Sequence, residues 1–115
     1  MTEKEIVACI RALKAYYPYY YKGITSEEAQ AVVDAWKIQF GNYDYELVKR
    51  GIDKWASRKT TPPTIAEIKY SLTDYYPEYD RIYAQLVREN ADPKEIERIE
   101  NIRSVIWECM HIKLK

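Results

Sequence analysis

Histidine occurs once in the 115 residues, at His111, and cysteine twice, at Cys9 and Cys109, near opposite ends of the chain. A structural zinc site needs four ligands from closely spaced pairs, which these three residues do not supply. Glycine is as scarce. Gly23, Gly41 and Gly51 stand too far apart for a phosphate-cradling loop, and neither GxxxxGK[S/T] nor GxGxxG occurs. ATPase and dinucleotide chemistry are therefore not expected, and a single histidine four residues from the end offers no nucleophile–base pair. The expectation is no enzyme, no catalytic residue, no cofactor and no metal.

Long apolar runs are also missing. The stretch Ile6–Ile10 is among the longest, so no segment is expected to span a bilayer and no membrane partner is expected. The opening Thr2-Glu3-Lys4-Glu5 is unlike a secretory signal, and a cytoplasmic location is expected. Nor does one sign of charge prevail. Eighteen Lys and Arg balance eighteen Asp and Glu, which argues against a dedicated nucleic-acid coat or a polybasic membrane binder.

What is present is a hydrophobic content of 47%, enough for a packed core, in a length that suits one compact domain with or without a helical appendage. Tyrosine is abundant: there are twelve, five of them between Tyr16 and Tyr21. Helix start signals recur along the chain. Thr2-Glu3-Lys4-Glu5, Thr25-Ser26-Glu27-Glu28 and Thr64-Ile65-Ala66-Glu67 are capping boxes, in which a Thr hydroxyl accepts from the amide three residues on and the Glu reaches back. Apolar stripes at helical spacing follow: Ile6, Ile10, Leu13 and Tyr17; Ala29, Val32, Val33, Trp36 and Phe40; Val48, Ile52 and Trp55, capped by Asn42 or Asp44; and Ile65, Ile68 and Leu72. Pro18 and Pro62-Pro63 break the pattern, and Pro77 is expected to close this part of the chain.

Two further helices are expected. One carries Tyr79, Ile82, Tyr83, Leu86 and Val87; the other starts at Asp92-Pro93-Lys94-Glu95 and carries Ile96, Ile99, Ile102, Ile106, Trp107, Met110 and Leu114. No alternating strand pattern persists. The expected fold is all-α, a bundle of about four helices followed by a two-helix extension. The expected division is a domain over 1–77 and an amphipathic extension over 78–115, either packed on the first unit or forming an interface.

Four features sit together in order: a capped first helix ending in Tyr-Tyr-Pro, a second helix with Trp36, the phrase Asn42-Tyr43-Asp44-Tyr45-Glu46-Leu47-Val48, and Pro62-Pro63-Thr64-Ile65-Ala66-Glu67-Ile68. Over about residues 1–76 this resembles the N-terminal domain of the phage replicative helicase loader/inhibitor family, small proteins that bind a DnaB-type hexameric helicase. The resemblance implies a non-catalytic adaptor for phage DNA replication. Such a protein holds the replicative hexameric helicase, restrains its ATPase and unwinding, and delivers it to an origin-binding initiator protein, with weak or no direct DNA binding.

Several residues are candidates for contact. The tyrosine run from Tyr16 to Tyr21, with Tyr19, Tyr20 and Tyr21 as its candidate contact residues, suits a protein interface, because tyrosine offers rigid area with a polar tip. Stacked single-stranded bases, or a plain surface with Tyr17 finishing the core, are the alternatives. Arg50, Lys54 and Arg58, at i, i+4 and i+8, form the one basic stripe. It is either a solvated face or, if the protein is instead a DNA-binding or replisome-organising protein, its phosphate-contacting face. On the last helix the apolar arc exceeds half the circumference, wider than one neighbour needs. Ile102, Val105, Cys109 and Ile112 form its outer part, expected to face a partner or a second copy in a homo-oligomer, while Trp107 and Met110 align with the buried stripe.

Overall fold

The computed structural model describes residues 1–111, and among them the regular structure is helical, without strands. In chain order the α-helices are α1 (Glu3–Tyr16), α2 (Ser26–Phe40), α3 (Tyr45–Ala56), α4 (Ile65–Leu72), α5 (Tyr76–Arg88) and α6 (Pro93–Met110). Short 3₁₀ turns over Pro18–Tyr21 and Thr73–Tyr75 follow α1 and α4. The chain forms two compact units, Met1–Ile68 and Lys69–Lys115. No described helix is long and apolar enough to cross a membrane.

The helix starts obey local chemistry. Thr2 Oγ1 accepts from the Glu5 amide (3.2 Å) while Glu5 Oε1 accepts from the Thr2 amide (2.8 Å), so two otherwise orphan donors are satisfied at once. Thr64 and Glu67 repeat the exchange at 3.1 and 3.0 Å. Thr25 accepts from the Glu28 amide, and Asp44, rather than Asn42, caps α3 by accepting from the Leu47 amide at 3.3 Å. Asp92 caps α6, with Pro93 in its first turn, where a missing N–H costs nothing. Pro77 does the same for α5: it occupies the first turn of that helix instead of terminating the preceding one.

In the first unit α1 packs against both α2 and α3. Ile6, Cys9, Ile10, Leu13 and Tyr17 from α1 and its C-cap meet Trp36 and Phe40 of α2, Val48 and Ile52 of α3, and Ile68 of α4 in one apolar core. Trp36 and Phe40 stack with centroids 4.8 Å apart, and Tyr43 meets Phe40 edge-on at 5.1 Å. Trp55 lies at the rim of this core, half-buried, its indole N–H donating to the Thr61 carbonyl at 2.7 Å. That bond ties the chain leading into Pro62-Pro63 back onto α3. Gly41, at the end of α2, is required by close approach: a Cβ there would lie 2.7 Å from the Lys37 carbonyl oxygen.

The second unit contains the helical hairpin of α5 and α6. α5 closes through Asn90 at φ 53°, a left-handed residue that asparagine tolerates, with the Ala91 amide reaching the Leu86 carbonyl. Arg103 of α6 bonds Asp80 of α5 at 2.9 Å and lies 4.1 Å over the Tyr83 ring, bracing the two helices. Tyr79, Ile99, Ile102, Ile106 and Cys109 are buried.

The phase of α6 differs from the expectation. Ile102 and Cys109, assigned to the outer arc, are buried, whereas Trp107 and Met110, assigned to the inner stripe, are about half exposed. The apolar arc is wide enough for either half to face inward. The buried set Ile99, Ile102, Ile106 and Cys109 follows an i, i+3, i+7, i+10 row, a narrower stripe that seats branched side chains and the small thiol while leaving the large indole outside. Val105 is half-buried. Ile112 and Leu114 lie outside the described residues.

Candidate partner-binding surface

α1 ends where Tyr17 leaves helical geometry (φ −132°, ψ 59°) and Pro18, lacking an N–H, opens the 3₁₀ turn. The turn sends consecutive tyrosines in different directions. Tyr17 points inward, buried, and its hydroxyl donates to the Lys59 carbonyl at 2.9 Å. From that anchor the rings step outward: Tyr20 meets Tyr17 edge-on at 6.4 Å, and Tyr19 meets Tyr20 edge-on at 5.7 Å. Tyr20 is 52% exposed and Tyr19 83%. Tyr21 turns back against the core, half-buried, and burial pushes its hydroxyl pKa up.

Tyr16, the first residue of the tyrosine run, stands in the last turn of α1. It is about half exposed, and its hydroxyl donates to Asp53 Oδ1 at 2.8 Å. Lys49 Nζ donates to the same oxygen at 2.7 Å and sits 6.0 Å from the Tyr16 ring centroid. The Asp53 bond raises the Tyr16 pKa and also that of Lys49, since it favours the proton-bearing form of each. α1 and α3 are joined at this point, and the Tyr16 ring is held in place. Tyr16 is held by Asp53 and Tyr20 rests edge-on against the buried Tyr17, so two of the exposed rings are partly ordered before any partner arrives, which lowers the entropy cost of binding.

The basic residues do not form a surface of that kind. Arg50 and Lys54 are half-buried on α3 and both already interact with neighbours, and Lys49 is held by Asp53. Arg58 lies beyond the helix. Ser57 is the C-cap, its hydroxyl donating to the Lys54 carbonyl at 2.7 Å, so the expected i, i+4, i+8 stripe stops after two residues. Of the expected contact residues on α6, Cys109 is buried and Val105 partly so. Ile38, absent from the expectations, is 81% exposed on α2; its position two residues past Trp36, about 200° around the helix, is the signal that places it outside.

The tyrosine surface falls inside the region that known proteins share. The profile of a family described as the N-terminal domain of a phage helicase loader/inhibitor matches residues 1–69, more than half of the chain. No curated protein and no solved structure matches it.

Proposed function

Since the chain belongs to that phage helicase loader/inhibitor family, we propose that it is a non-catalytic adaptor that binds a replicative DnaB-type hexameric helicase in the host cytoplasm, restrains its ATPase and unwinding, and passes it to an origin-bound initiator. The observation that carries this reading to particular residues is the exposure of Tyr16, Tyr19 and Tyr20 inside the matched region, with Tyr16 held by Asp53 and Tyr20 braced on Tyr17. Aromatic side chains with little rotamer freedom left to lose are the usual anchors of protein interfaces. The mechanism is associative. Binding energy holds the helicase in a state that does not turn over, and by linkage this requires the adaptor to prefer that state to the active one.

The test is affinity capture with the purified protein as bait, followed by ATPase assays on the captured helicase. The expected result is recovery of the hexameric helicase, slowed ATP turnover in the complex, and no ATP hydrolysis by the bait alone. Recovery of DNA without helicase overturns the proposal.

Duplex DNA should bind weakly. With balanced charge and two of the three stripe residues already engaged, few phosphates are neutralised and few counterions released, so the salt dependence is shallow. Replacing Arg50, Lys54 and Arg58 by alanine should change little in a salt-titrated binding assay. Tight binding at physiological salt that disappears in this variant decides for a DNA-binding protein.

A further inference from the structure

The second unit holds a groove that the helicase reading does not use. Tyr76 from the first turn of α5 and Arg103, Ser104, Trp107 and Glu108 from α6 line a space of about 320 Å³. Its wall is aromatic. Trp107 is 50% exposed, with Tyr76 at 5.8 Å and 45° and the His111 ring at 4.1 Å and 43°. An indole left half in water at the mouth of a groove is a large apolar surface without a described cover.

The charges of the groove are unequal in availability. Arg103 is bonded to Asp80 at 2.9 Å and lies against the Tyr83 ring at 4.1 Å, so its charge is matched and one flat face is covered. Glu108 is exposed and has no ion-pair partner among the described residues. Within Pro93–Met110 the last turn of α6 carries no basic side chain, so among the described residues the negative end of the helix dipole adds to the Glu108 carboxylate. Aromatic faces beside a carboxylate without an ion-pair partner among the described residues call for a cation that is also flat.

The geometry points to a binding site for an arginine side chain presented by a partner polypeptide. The guanidinium stacks on Trp107 beside Tyr76 and donates to the Glu108 carboxylate, while Ser104 offers a hydroxyl at the rim. Arginine suits this site better than lysine because its planar fork stacks and bonds a carboxylate together, whereas an ammonium does so only as a point charge. The site lies outside residues 1–69 and does not depend on the helicase reading.

The full-length protein, labelled with ¹⁵N, tests this directly, since Trp36, Trp55 and Trp107 give three separable indole N–H signals. The probes are a blocked Gly-Arg-Gly peptide and its citrulline counterpart, which keeps the shape and loses the charge. Arginine should shift the Trp107 indole signal in a saturable way, with citrulline at least about threefold weaker. Glu108→Gln should weaken the arginine peptide by about three- to fivefold, and Trp107→Leu should abolish the effect on the nearby Tyr76 and Ser104 signals. Thermal melts check that both variants fold, and Glu108→Gln, at an exposed position, keeps the test valid should Trp107→Leu not. No shift, or equal shifts from both peptides, overturns the proposal. Two other occupants are separated by the same material. If the chain's own Lys113 and Lys115 fill the groove, the wild type stays silent and only Lys113→Gln with Lys115→Gln responds. If a second copy fills it, sedimentation shows a dimer that Trp107→Leu dissociates. Either result overturns the partner assignment.

Discussion

Replacing Trp36 by alanine is expected to lower the stability of the first unit by about 3–5 kcal/mol, the range for truncating a buried large aromatic. Trp36 is only 5% exposed and stacks on Phe40, which in turn supports Tyr43, so the cavity would open beside the most enclosed ring of the core. Small domains hold roughly 5–15 kcal/mol in total. The loss therefore removes a large fraction of the stability, and the melting midpoint should fall by at least about 12 °C. Trp36→Phe should recover most of it. Trp55→Ala, at the rim of the core, should cost clearly less. Calorimetric or circular-dichroism melts decide the matter: a midpoint within a few degrees of the wild type for Trp36→Ala would mean that the α1–α2 core is not packed as described.

The second large effect is on binding. Tyr19→Ala combined with Tyr20→Ala should weaken capture of the helicase by about 10- to 100-fold, the scale of losing one or two aromatic anchors from an interface. Stability should hardly change, because Tyr19 is almost wholly in water and the anchoring Tyr17 remains, still bonded to Lys59. Titration of labelled adaptor with purified helicase measures the loss, and a melt of the same sample excludes unfolding. Unchanged affinity in a folded variant moves the interface away from the tyrosine turn while leaving the family membership untouched.

Much of this fold was legible because its signals are local. A Thr followed three residues later by Glu marks a helix start through contacts spanning four residues, and the bonds at Thr2, Thr25 and Thr64 follow directly. The core stripes of α1 to α3 were legible because each has a single apolar face. α6 was different. Its apolar arc admits two phases that burial alone can separate, and nothing within eighteen residues says whether the indole of Trp107 or the thiol of Cys109 goes inside. Arg58 failed for another reason: a helix end is set by a side chain bonding back to the helix, here Ser57 to Lys54, and spacing rules run straight past it. The bond from Tyr16 to Asp53 spans 37 residues, and no periodicity in one helix reveals a partner on another.

The two cysteines have a consequence for kinetics. Each unit carries one, buried, and burial pushes the Cys9 thiol up to about 11. At neutral pH that side chain is neither ionised nor within reach of a reagent, and alkylation of a thiol requires both. Labelling then proceeds only during openings that let water in, as amide exchange does. Digestion assigns the added mass to Cys9 or Cys109 by the peptide that carries it. The wild-type chain thus contains two clocks, one for each half, and a partner that binds one half should slow the clock in that half more than the other.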